Sequence, residues 1–144
     1  MRIDGLWFEC EDGVRRPIVR AEALASDGNW QPANFLVDPG ADNTVFSADI
    51  CAALGHLPQR TDARLFGIGG AANAALVEVE FRLRQADQTP VTFRGQFLAA
   101  VDSSTLDTSI LGRDILNLFA VIIDRPQEVV CLLSQRHRYV VVEQ

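Results

Sequence analysis

The sequence predicts a mainly β protein with one or two short helices, and three observations carry that prediction. Apolar runs are short, rich in Val, Ile and Phe, and bounded by Gly, Pro, Asn or Asp. Residues 76–83 alternate, with Val77, Val79, Phe81 and Leu83 set against Glu78, Glu80 and Arg82, which is the period of a strand with one buried face. Helix start and stop signals frame only two brief stretches.

The elements follow in chain order. Residues 6–10 and 16–24 form a first pair of strands around Glu11-Asp12-Gly13, and Ser26-Asp27-Gly28-Asn29 marks a second turn. Residues 34–38 make a third strand, continuously apolar from Phe35 to Val37 as in a strand covered on both faces, and it stops at Pro39-Gly40. A short helix is expected over 47–54: Ser47 can cap it, Asp49 lies in its first turn, Ile50 and Leu54 are four apart, and Gly55 ends it. It is expected to pack under the preceding turn. The alternating strand 76–83 finds an antiparallel partner in 91–101. Ile115, Leu116 and Phe119 offer one face of a second short helix over 113–119. Residues 121–123 and 129–133 flank Asp-Arg-Pro-Gln as a hairpin, and 139–142 supply a last strand.

A chain of 144 residues has room for one buried core, so a single domain over 1–144 is expected. A formal charge of −6 argues against a nucleic-acid partner, because binding a phosphate backbone would need a basic face. No stretch approaches the ~20 apolar residues of a membrane span, and residues 1–10 lack the pattern of a signal peptide, so no membrane association and a cytoplasmic location are expected. Cys10, Cys51 and Cys131 are odd in number and widely separated, which fits neither a disulfide framework nor a zinc site; they are expected to be small buried apolar residues. His56 and His137 form no ligand cluster, and the reading assigns no metal and no cofactor.

Three motifs carry chemistry. In the first, the apolar strand 35–37 runs into Asp38-Pro39-Gly40-Ala41, followed at once by Asp42; a strand that ends in Asp beside a glycine turn can hold a carboxylate rigidly at the floor of a cleft. Alone, the triplet is also a common turn. In the second, Gly67, Gly69 and Gly70 surround Ile68 between two strand-like segments, which predicts a mobile hairpin tip whose glycines admit positive φ and expose backbone groups to a passing ligand. A plain hairpin is the ordinary alternative, and the segment lacks the Lys and spacing of a phosphate loop. The third, Ile110-Leu111-Gly112-Arg113-Asp114, reads as a strand-to-helix junction with Asp114 suited to a helix start.

The three motifs, in this order and separation, resemble the retropepsin-type aspartic peptidases over about residues 35–133. The resemblance implies a closed β-barrel of the acid-protease type, present here as one lobe. A single Asp-x-Gly implies a homodimer in which Asp38 of each protomer completes the site for a peptide or protein substrate. It implies that Gly67, Ile68, Gly69 and Gly70 form the substrate-covering flap, that Ile68, Val45 and Leu111 line apolar subsites, and that Asp42 and Arg113 form an ion pair supporting the active-site turn. Ile110, Leu111 and Gly112 correspond to the second family motif. Pro39 departs from the pattern, because the family has Thr or Ser there and its hydroxyl joins the two active-site turns. Two functions stay open at this point: a dimeric aspartic endopeptidase, or a non-catalytic module of the same fold that binds an extended peptide or partner, with Asp38 capping a turn.

Overall fold

The alternation over 76–83 builds part of a longer strand, which dominates the computed structural model; the structure describes residues 1–134. Thirteen strands occur among them: β1 (Arg2–Asp4), β2 (Leu6–Glu9), β3 (Arg15–Val19), β4 (Ala21–Leu24), β5 (Trp30–Pro32), β6 (Phe35–Val37), β7 (Val45–Phe46), β8 (Arg60–Gly67), β9 (Gly70–Arg84), β10 (Pro90–Ala100), β11 (Ser109–Leu111), β12 (Ala120–Asp124) and β13 (Val129–Leu133). Two helices, α1 (Ala48–Leu54) and α2 (Arg113–Leu116), complete the described elements. The strand expected over 139–142 lies outside the described residues.

Ten strands make one sheet in the order β2-β3-β6-β11-β7-β10-β9-β4-β5, with β8 paired to β9. β3 and β4 are separated in sequence only by Arg20, yet β3 pairs with β6 and β4 pairs with β9. One nearly continuous run of chain therefore joins distant parts of the sheet, and this forces the sheet to curl round a common interior. β1, β13 and β12 form a second, three-stranded sheet, and the Trp7 indole N–H donates to the Asp124 carbonyl at 3.1 Å to tie it to β2.

The concave interior is apolar, as the alternation requires: Val77, Val79, Phe81 and Leu83 all point into it. Phe81 stacks on Phe93 at 5.1 Å between ring centroids and meets Phe35 and Phe97 at 5.2 and 5.3 Å. Phe35 and Phe46 pack edge to face at 5.2 Å. Because Phe35 is on β6 and Phe46 on β7, this cluster anchors both ends of the loop between them.

α1 begins and ends as the sequence predicts, with Gly55 left-handed at φ 69°. Ser47, however, does not cap it with its side chain. Its amide donates to the Ser109 hydroxyl at 2.9 Å in a buried contact, so Ser47 joins α1 to β11 instead. Its last carbonyl, that of Leu54, accepts from Ser26 N–H at 2.8 Å, which docks the helix on the 26–29 turn. Only Cys131 of the three cysteines is buried; Cys10 and Cys51 are partly exposed, and all three are free thiols. Among the described residues no helix is long and apolar enough to cross a membrane, and no group of three or more His, Cys, Asp or Glu side chains is placed to hold a metal.

Candidate active site

β6 ends where Pro39 removes a donor and Gly40 opens the turn. Asp38 lies at that end, half-buried, with its amide donating to the Leu111 carbonyl at 3.2 Å and its carbonyl accepting from Ala41 at 3.1 Å. The Gly40 amide donates to the Asp38 carboxylate at 2.9 Å. The reason for glycine here is space rather than conformation: Gly40 does not have positive φ, and a Cβ would sit 3.1 Å from the Asp38 carboxylate oxygen.

The turn is clamped by the start of α2. Arg113 N–H donates to the Ala41 carbonyl at 2.8 Å and Asp114 N–H to the Asp42 carbonyl at 3.2 Å. The Arg113 guanidinium also hydrogen-bonds the Asp42 carboxylate, the pair that the family resemblance implies. With 51% and 73% of the two side chains exposed, that ion pair adds little on its own.

The contacts beneath it matter more, and sequence reasoning missed them. The Asp114 carboxylate accepts from the Thr44 amide at 2.9 Å and from its hydroxyl at 2.7 Å, while Thr44 Oγ1 accepts from Gly112 N–H at 3.1 Å. Thr44 is fully buried. A threonine inside an apolar strand start was the available hint, since a buried hydroxyl needs a partner. Gly112 is equally constrained, because a Cβ there would lie 2.3 Å from the Asn43 carbonyl carbon and 2.8 Å from Thr44 N. The glycine of the third motif is thus the point at which two backbones touch.

β8 and β9 form the expected hairpin, Gly67 facing Gly70 across the Ile68-Gly69 tip. Of its glycines only Gly70 has positive φ, 111°, and a Cβ added at any of the three would meet nothing within 4 Å. Ile68 is fully exposed at the tip and Phe66 nearly so. Between this hairpin and the Asp38 turn lies a cleft of about 740 Å³. Asp38, Gly40, Ala41, Asp42 and Val45 line it together with residues 64–72, Leu98, Thr105, Leu106 and Ile110. Leu111, expected among the lining residues, is wholly buried in the core, and its neighbour Ile110 takes the place because successive side chains of β11 point to opposite faces.

A curled sheet that presents one Asp-x-Gly turn, clamped by a Gly-Arg helix start and faced by a glycine-tipped hairpin, has the retropepsin-like aspartic protease architecture. The family profile described as Aspartyl protease matches residues 23–115, and the chain belongs to that family. Among solved structures it is similar to a retropepsin-like aspartic protease from Rickettsia conorii, with 19% identity, a TM-score of 0.57, and coverage of 92% of this chain and 98% of that one. It is also similar to the EIAV protease complexed with the inhibitor HBY-793, at 24% identity and a TM-score of 0.49, covering 71% of this chain and 86% of that one. No curated protein matches the sequence.

Proposed function

We propose that this protein is an aspartic endopeptidase that works as a homodimer, with Asp38 of each protomer forming one catalytic dyad. The observation that carries the reading is the placement of Asp38, held by the Gly40 amide in a cleft that the glycine-tipped hairpin overhangs. One described Asp-x-Gly turn per chain supplies half of such a dyad. Two carboxyl groups in contact cannot comfortably both ionise, so they share one proton and titrate as a unit. The ionised partner draws a proton from a water molecule, the water attacks the scissile carbonyl, and the protonated partner donates to the carbonyl oxygen. The hairpin tip closes over an extended substrate, and its backbone supplies strand-like hydrogen bonds.

The second protomer also has an edge to meet. Among the described residues the outer edge of β12 has no strand partner, and it presents Ile122 and Ile123. An unpaired apolar edge favours association with another strand, which supports the dimeric reading.

The test is cleavage of a diverse peptide pool from acidic to neutral pH by the wild-type protein and by Asp38→Ala, at a concentration where sedimentation shows dimer. Cleavage by wild type alone is expected. Absence of cleavage by a proven dimer would instead favour a peptide-binding module of the same fold.

A further inference from the structure

The face of the sheet formed by β4 and β9 carries a cavity of about 460 Å³ that shares no lining residue with the Asp38 cleft. We propose that it binds a phosphate-bearing small molecule.

Ala21 pairs with Leu83 and Glu22 with Arg82, so the next step along the ladder sets Arg20 beside Arg84. Side chains two apart share a face, and Arg20, Glu22, Arg82 and Arg84 accordingly all line this one cavity. Like charges placed opposite each other across a ladder are unfavourable unless something neutralises them.

The protein's own carboxylates do so only in part. Asp4, which also lines the cavity, is bonded by Arg2 at 2.7 Å. Glu22 meets the Arg82 and Arg84 guanidiniums through a single oxygen, at 2.8 Å from Arg82 Nε and at 3.1 and 2.8 Å from Arg84 Nε and Nη2. Arg20 has no ion-pair partner among the described residues. With the Arg2–Asp4 pair counted as neutral, three guanidiniums stand against the one carboxylate of Glu22, an excess of two charges on a chain whose formal charge is −6. A doubly charged oxyanion matches that excess, and guanidinium forks match phosphate oxygens.

Two of the three guanidiniums are also held in place. The Arg82 guanidinium stacks 4.0 Å over the Trp30 ring, and Arg84 Nη1 donates to the Gln88 carbonyl at 3.4 Å. Fixing side chains before a ligand arrives lowers the entropy lost on binding. The cavity is larger than one phosphate group needs and lies within the usual ~300–1,000 Å³ of small-molecule sites. Asn34 and Gln85 amides and the apolar Pro32 and Ala86 are available for an organic portion.

Isothermal titration at constant ionic strength tests the proposal with two probes, glycerol 3-phosphate and inorganic phosphate, and with chloride as control, on wild type and Arg20→Gln. Arg20 is exposed and bonds nothing in the core, so the variant is expected to keep the wild-type melting temperature. Saturable binding of the ester, weakened about tenfold or more in Arg20→Gln, is the expected result. Equal binding of inorganic phosphate would make the free ion the occupant, within the same chemistry. Binding indifferent to Arg20→Gln, or no heat beyond that of chloride, would overturn the proposal. Because the assay involves no peptide cleavage, its failure is independent of any failure of the peptidase reading.

Discussion

Single atoms decide how the Asp38 turn is made. At Gly112 the contact is with backbone, which cannot swing aside as a side chain would, so Gly112→Ala must push the 43–44 segment away from α2. The expected cost is about 1–3 kcal/mol of stability, read as a lower urea midpoint, with a loss of the proposed cleavage activity because Asp38 belongs to the same turn. Pro39 acts in the opposite sense. It fixes one dihedral of the turn but has no hydroxyl to reach a partner's turn. In the proposed homodimeric peptidase, Pro39→Thr is therefore expected to tighten the dimer, lowering the dissociation constant in sedimentation about tenfold, and to raise kcat/KM on a cleaved peptide. An unchanged dissociation constant would remove the hydroxyl from the account.

The turn between β6 and β7 and the start of α2 act as one clamp, and its parts are unequal. Asp42 and Arg113 are mostly solvated, so Arg113→Ala should cost less than about 1 kcal/mol, since its backbone N–H still holds the Ala41 carbonyl. Asp114→Ala strips two donors of the buried Thr44 of their acceptor and should cost about 1–3 kcal/mol. Parallel urea titrations of the two variants check the order; a larger loss for Arg113→Ala would show that the exposed pair is the real support. At the hairpin, Ile68 is exposed to solvent at the tip and contributes nothing to the core, so Ile68→Ser should leave stability unchanged within about 0.5 kcal/mol while raising KM for peptide.

Across the whole molecule, charge sets the pH range of stability. The Arg16 side chain holds the Asp12 carboxylate down from 3.8 to about 2, Arg82 lowers Glu22, and Arg15 lowers Glu128. Backbone N–H groups of Asn29, Thr89 and Ser104 lower Asp27, Asp87 and Asp102. A carboxylate whose folded value is depressed stabilises the fold above its unfolded value, 3.8 for Asp and 4.5 for Glu, and loses that contribution as pH falls through the folded one. Burial raises the Cys51 thiol from 9.0 to about 11, a contribution present below the lower value and lost as pH rises past it. Thermal melts should therefore show a plateau between about pH 4.5 and 9, with decline on both sides. Glu22→Gln should flatten part of the acidic decline.

Local pattern alone settled a good deal: the alternation at 76–83, the uniform apolar run at 35–37, Gly55 at the end of α1, and the hairpin about residues 124–128. Each rests on a rule that acts within a few residues, and so does the Asp-x-Gly turn that ends β6. What lay beyond such rules was decided by packing. Residues 15–24 break at Arg20 because one run must serve two parts of a curled sheet, and β1, β5 and β7 are too short to show a period. Thr44, Asp114 and Gly112 are 68 to 70 residues apart in pairs that meet. No spacing along the chain reveals such a contact, because the sheet order brings β11 beside both β6 and β7. The sequence determined which residues form the turn, the hairpin and the helix start; only the tertiary structure made them one site, since hydrogen bonds and close backbone contacts are satisfied in space and not along the chain.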